Sequence, residues 1–473
     1  MKRLMLAFLM LPMAAAASPG PSEGIKVTTD RTVDTGSLDS IVQDVVRLSG
    51  AKSNDEKAIA IHTWLHQAIF HNAYPVEKSP QSVGPLKAIR VYGWGLCGGQ
   101  HTVLKALFET AGWKVRYRGW DGHTTIEVFY DDRWHYFDVF LKCYFWTKDR
   151  KTIAGQDDIN ADPSIVLDAE KEGRVPPSHY LCCGDEAKGI VEGCKTSKPY
   201  PASKHEDGWA SVTGRDRGYN AQLTLPPGAR LKLEWKGDAG QIAVNGQGRH
   251  SCGNKDFRSD KDLGPVLEHY GPRNHSNGRL SYAPDFSRAG DVAGVAVTGA
   301  EAKDGKLVAS AGQGVAVFKL ALPYVYVSGQ LEAAFEGEGK LSISGDGGKT
   351  WQPASAGDVS PLVKQKYDVQ VKAEFAGALA KLRLDAVVEH NRSSQPHLLP
   401  GKNVVTVAAP RNVVVTYGYQ EATAPDKRSR WDEKGVTYSA PKTATQEGPA
   451  SSWTIDVGGN TPPKMLSLEF AAR

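Results

Sequence analysis

The sequence predicts an α+β N-terminal core, a helix set packed on an antiparallel sheet, followed by one or two all-β sandwich domains. Three observations carry this expectation. Helical spacing dominates the first part of the chain as far as Ala111. Residues 123–130 and 134–139 then alternate as strands on either side of an Asp131-Asp132 turn. From about Trp209 onward, short alternating runs punctuated by Gly, Pro and Asp replace helical periodicity. The expected segments are 1–17 as a signal peptide, 37–200 as the first domain with its core at 53–140, 209–325 as a β-rich domain and 326–473 as a C-terminal sandwich.

The chain has 473 residues and a net charge of +4, from 57 Lys and Arg against 53 Asp and Glu. That length suggests about three domains and ample buried core. The charge is mild and no long basic tract is present, so nucleic-acid binding has no support. Met1-Lys2-Arg3 followed by an apolar run and Ala15-Ala16-Ala17 reads as a secretory signal cleaved near Ala17. No cysteine follows that run, and no later stretch reaches the roughly 18 apolar residues that span a bilayer. The expected mature protein is exported, periplasmic or extracellular, without a membrane span.

Taken in order, residues 19–36 read as polar and irregular. Leu38, Ile41, Val42, Val45, Val46 and Leu48 mark a first amphipathic helix, stopped at Gly50. Ser53-Asn54-Asp55-Glu56 forms a capping box for a second helix with Ala58, Ile61, Leu65, Ala68 and Ile69 on its buried stripe. His62 and His66 share helical spacing but His71 does not, which argues against a metal site. A loop from 74 to 92 delivers Tyr92 and Trp94. Then Gly95-Leu96-Cys97-Gly98-Gly99-Gln100 leads into Val103, Leu104, Leu107, Phe108 and Ala111, a third helix stopped by Gly112.

That placement gives Cys97 a chemical reading. A cysteine at a helix N-terminus meets free N–H groups and the positive end of the dipole, which favour thiolate. The flanking glycines allow a sharp turn and close substrate approach. His123 opens one strand and Asp138 closes the next, so antiparallel pairing can set base and orienting carboxylate side by side. His101 and His135 are the competing bases and read as bystanders. Trp94, Tyr92 and Gln100 are the local candidates for holding an oxyanion or positioning substrate.

Together these residues resemble the transglutaminase-like superfamily of papain-type cysteine enzymes. Gly95 and Cys97, His123 and Glu127, and Trp134 and Asp138 match its pattern, with 58–65 and Tyr74 similar to its preceding helix and aromatic end. The likeness spans roughly 50–140. Thr125 stands where the family usually has an aromatic residue, and Gly98 replaces the aromatic common after the cysteine in animal crosslinking enzymes; this weakens the case for crosslinking more than for thiol chemistry. The resemblance implies an acyl-transfer enzyme acting on amide bonds, as peptidase, amidase, deamidase or crosslinking enzyme. It would use Cys97, His123 and Asp138 through a thioester, with a protein or peptide substrate and neither cofactor nor metal. The alternative is a catalytically silent scaffold whose β-domains bind glycan or protein at the cell envelope.

Five cysteines remain: Cys143, Cys182, Cys183, Cys194 and Cys252. An oxidising compartment permits at most two disulfides among them, in a pairing the sequence leaves open. Residues 173–208 read as a long loop ending in a linker. Farther on, Ser344-Gly345-Asp346-Gly347-Gly348-Lys349-Thr350-Trp351 looks like an Asp-box, a turn stabilised by side-chain hydrogen bonds that carries no chemistry. A single copy argues against a repeated propeller, and a glycosidase would need a carboxylate pair in a cleft.

Overall fold

The computed structural model describes residues 24–71, 74–75, 77, 83–120, 122–176, 186–199, 218–239, 244–245, 275–292, 294–310, 312–423 and 437–473. Residues 1–17, expected to be a signal peptide, and Cys182, Cys183 and Cys252 lie outside the described residues. The fold is mixed α+β with mostly antiparallel sheets. No helix among the described residues is long and apolar enough to cross a membrane.

Two amphipathic helices open the N-terminal part, α1 (Leu38–Ser49) and α2 (Asn54–Ala68). Each begins with a reciprocal capping box, Ser37 with Ser40 and Ser53 with Glu56. These boxes satisfy N–H groups that a helix start leaves orphaned, worth about 1 kcal/mol per cap. Gly50 ends α1 in the left-handed conformation at φ 70°, and its N–H returns to the Val46 carbonyl. The third helix, α3 (Cys97–Thr110), packs Val103, Leu104, Leu107 and Phe108 into the same apolar cluster as Ile41, Ile61 and Leu65.

Against α3 lies a small sheet of β2 (Lys114–Trp120), β3 (His123–Tyr130) and β4 (Arg133–Phe137), with β3 central and residues 198–199 added beside β2. Asp131 and Asp132 turn the β3–β4 hairpin with φ of 48° and 59°. A two-residue turn with both central residues at positive φ matches the twist of the strands it joins. Tyr117, Ile126, Val128 and Phe137 give the sheet an apolar face toward α3. The opposite face carries a polar stripe. There Arg116 and Glu127 are cross-strand partners, and the Glu127 carboxylate accepts from Arg116 Nε at 2.8 Å and from the Gln156 N–H at 2.8 Å. The Gln156 amide also donates to Thr125 Oγ1 at 2.8 Å. Thr125 is thus a hydrogen-bonding member of a polar stripe.

The β part runs as interleaved antiparallel sheets. The larger holds β1 (Lys26–Thr29), β5 (Ala229–Glu234), β6 (His275–Tyr282), β8 (Val325–Glu336), β11 (Ala378–Asn391), β12 (Gly401–Gln420), β13 (Lys442–Val457) and β14 (Lys464–Ala472). The smaller holds β7 (Gly314–Ala321), β9 (Gly339–Ser344) and β10 (Asp368–Phe375). Side chains from both sheets, Leu231, Tyr282, Leu331 and Leu384 with Phe318, Ile343 and Val371, share one core. That is a sandwich-like packing.

Three sequence expectations need correction here. A boundary at 325 has no counterpart, because β7 before it pairs with β10 after it, and β6 pairs with β11. The stretch read as irregular contains β1, whose Lys26 to Thr29 pair with Ala408 to Val405 of β12. The stretch read as a loop contains α4 (Glu186–Thr196), which buries Ile190, Val191 and Cys194. The Asp-box does form a side-chain-bonded turn. Ser344 Oγ accepts from the Gly348 N–H at 2.8 Å, and Asp346 accepts from Thr350 N–H and hydroxyl at 2.9 and 2.6 Å.

The two parts meet across polar, buried contacts. The Asn391 amide at the end of β11 donates to the carbonyls of Ala68 and Ile89, at 2.8 and 2.6 Å. Residues 88–92, a single wide helical turn, lead from there toward Cys97. The chain segment that carries the cysteine is therefore seated on the β part.

Candidate active site

Register puts the candidate residues together before any side chain is considered. Ile126 faces Phe137 across β3 and β4, so one step farther Thr125 comes opposite Asp138. Residues two apart on a strand share a face, which sets His123 beside Asp138. His123 Nε2 donates to Asp138 Oδ2 at 2.7 Å. Cys97 lies close enough to His123 to help raise the pKa of its ring. Since Nε2 is committed to the carboxylate, Nδ1 is the nitrogen left for sulfur. Sulfur, imidazole and carboxylate thus stand together.

Electrostatics follow from that geometry. Burial pulls the His123 imidazolium down, but the adjacent Asp138 charge and hydrogen bond, with Cys97 adding to them, raise it to about 10. Burial would push the Asp138 carboxyl up; the His123 charge and hydrogen bond, with the Leu141 N–H, outweigh it and hold the group well below the usual carboxylate range. Asp138 is fully buried with two further donors, the Leu141 N–H to Oδ1 at 2.8 Å and the Tyr136 hydroxyl to Oδ2 at 3.1 Å. The carboxylate is ionised, oriented and shielded. A buried ion pair of this kind is useful only when such extra hydrogen bonds offset its desolvation.

Cys97 itself is half-buried and starts α3, with Leu96 as a capping residue that supplies no side-chain bond. The first ladder bond of the helix runs from Gln100 N–H to the Leu96 carbonyl. The N–H groups of Cys97, Gly98 and Gly99 precede it and lie outside the intrahelical ladder. Around His123 stand aromatic rings: Trp120 at 5.3 Å, Phe140 at 5.6 Å and His101 at 5.7 Å between centroids. Gly193 of α4 covers Trp120 so closely that a Cβ there would fall 2.4 Å from the indole.

The three residues suggested as oxyanion or positioning groups lie as follows. The Tyr92 hydroxyl donates to Glu77 Oε1 at 2.6 Å and faces Tyr367, just ahead of β10, at 3.3 Å. Glu77 also pairs with Lys87 at 2.7 Å, both side chains being nearly inaccessible. Tyr92 therefore belongs to a polar knot between the two parts of the chain. Trp94 is buried, with its ring against Tyr92 and His275. Gln100 is buried in α3, and its amide reaches the Ile69 carbonyl at 3.4 Å. Backbone N–H groups at the start of α3 are the candidate donors beside Cys97 in the chain.

Sequence reasoning underrated three neighbours. Tyr136 was not singled out, although its position two residues before Asp138 places both on one face. His62 Nε2 donates to the Asp138 carbonyl at 2.9 Å, and His66 Nε2 lies 3.2 Å from His62 Nε2. Their spacing of four residues was the available signal. His135 bridges the carbonyls of Ile153 and Tyr130 away from the triad. No cluster of three or more metal-binding side chains occurs among the described residues. No protein-family model matches this chain, and no curated protein matches it.

Proposed function

We propose that this protein is an exported cysteine-dependent acyl-transfer enzyme of transglutaminase-like type, acting on amide bonds of a protein or peptide. The observation that carries the reading is the hydrogen bond from His123 to a buried Asp138, with Cys97 at a helix start close enough to act on the same ring. A thiolate at Cys97 attacks the amide carbonyl carbon and forms a tetrahedral oxyanion. Backbone N–H groups at the uncapped start of α3 are its donors. His123, kept charged by Asp138, delivers its proton to the departing amine as the C–N bond breaks, leaving a thioester on Cys97. Water or a second amine then attacks the thioester, His123 takes the incoming nucleophile's proton, and the thiolate leaves.

The test is alkylation of the mature protein with limiting iodoacetamide from pH 5 to 9, mapping the modified cysteine by mass. The enzyme reading expects Cys97 to react ahead of Cys143 and Cys194. Both of those are buried, which raises their thiol pKa values. It also expects His123→Ala to remove the advantage of Cys97. Equal or slower reaction at Cys97 in the unaltered protein would instead favour a silent scaffold that serves the β part.

A further inference from the structure

His101 lies one helical turn beyond Cys97, fully buried, and is not a member of the Cys97, His123 and Asp138 group. Its Nδ1 is 2.7 Å from the Cys97 carbonyl oxygen, and its Nε2 is 3.2 Å from the backbone nitrogen of Val139. A carbonyl only accepts and a backbone amide only donates, so the tautomer follows. Nδ1 carries the proton and gives it to Cys97; the Nε2 lone pair receives the Val139 N–H. A proton on Nε2 would confront that N–H with a second donor. Burial acts in the same direction and lowers the pKa of the ring. Asp138 Oδ1 is 3.7 Å from Nε2, beyond hydrogen-bond range, and already receives the Leu141 N–H.

We propose that His101 is a positioning residue, a neutral strut that ties the carbonyl of the nucleophilic residue to the backbone beside Asp138. The proposal rests on the reading of Cys97 as nucleophile. The strut joins two parts that strand pairing does not connect, the start of α3 and the chain just past β4. His123 must keep its ring free to exchange a proton with sulfur, so it cannot also be the rigid brace. His101 has both nitrogens committed and is free of that task. A leucine there would fill similar space, but it would leave the buried Val139 N–H without its acceptor and the Cys97 carbonyl without this donor.

Three variants of the mature protein separate the possibilities: His101→Ala, His101→Asn and His123→Ala. Each is read by the rate of Cys97 alkylation against pH, with thermal midpoints alongside and imidazole ¹⁵N spectra of the unaltered protein. A strut predicts that His101→Ala slows Cys97 at neutral pH on the order of 10–100-fold, as for a reacting group displaced by a fraction of an ångström to 1 Å. The acid limb of the profile moves up toward that of an ordinary thiol. His101→Asn, whose amide can still donate to the Cys97 carbonyl, recovers part of the rate. The spectra show His101 as the neutral Nδ1–H form between pH 6 and 8.

Other results overturn the proposal. A lower thermal midpoint with an unchanged alkylation profile makes His101 a packing residue only. A cationic or Nε2–H ring at neutral pH removes the strut, and this reading stands even if His101→Ala does not fold. Reactivity that survives His123→Ala but not His101→Ala makes His101 the base. If Cys97 of the unaltered protein has no advantage over Cys143 and Cys194, the nucleophile reading itself fails and there is nothing for the strut to position.

Discussion

Replacing Asp138 by Asn changes one buried oxygen for an NH₂ group with almost no change of volume, so it probes charge and proton direction alone. In the unaltered protein the carboxylate accepts from His123 Nε2, the Tyr136 hydroxyl and the Leu141 N–H. The amide can keep the Leu141 bond through its oxygen, with its NH₂ turned toward His123 and Tyr136. His123 then offers Nε2 as acceptor, and the remaining proton sits on Nδ1, facing sulfur. That is the wrong tautomer for taking a proton from the thiol. The raised pKa of His123, about 10 from an ordinary 6.5, also loses its main support while burial continues to pull it down. At pH 7 the imidazolium partner of the thiolate is largely lost. An analogous carboxylate-to-amide change in a serine triad costs about 10⁴ in rate; alkylation, which needs the thiolate but not the later proton delivery, should fall by roughly 10²–10³. The assay is second-order alkylation of Cys97 at pH 6 to 7, with circular dichroism to establish that the fold is intact. A folded variant that alkylates at the unaltered rate refutes the coupling of Asp138 to the thiol.

Asn391→Ala removes two buried hydrogen bonds between the β part and the segment ahead of Cys97; chemical denaturation should report a loss of about 2–4 kcal/mol. A change below about 0.5 kcal/mol means that this contact does not hold the two parts together. Gly193→Ala forces a methyl group into the Trp120 indole, so Trp120 must move against His123. The expected results are a cost of roughly 1–3 kcal/mol and slower Cys97 alkylation; an unchanged melting point shows that α4 yields instead. His62 and His390 are fully buried, and desolvation lowers each from 6.5 to about 4. The unfolded chain therefore binds protons from about pH 6.5 downward while the folded chain resists until about pH 4. Stability is full above pH 6.5 and drains as pH falls to 4, by about 3 kcal/mol per histidine. A urea midpoint that stays level across that interval contradicts the burial of these rings. His123 works oppositely: its contribution is complete below pH 6.5 and is lost as pH rises through about 10.

What the sequence determined by itself lies within a few residues of each signal. Ser53 and Glu56 cap α2, Asp131-Asp132 turns the hairpin, and Cys97 stands at the start of α3, because capping, turn formation and periodicity are local hydrogen-bond and packing events. The neighbourhood of His123 and Asp138 was legible for the same reason, a single hairpin having one favourable register. Tertiary structure decided the rest. Short alternating strands carry no label for their partners, so nothing local told that β1 would lie on β12 or that pairing would run straight through residue 325. His62 and His101 met their partners only when separate elements closed, the Asp138 carbonyl for one and the Val139 N–H for the other. A buried polar group must find a partner wherever folding places it, and the identity of that partner is a property of three-dimensional proximity.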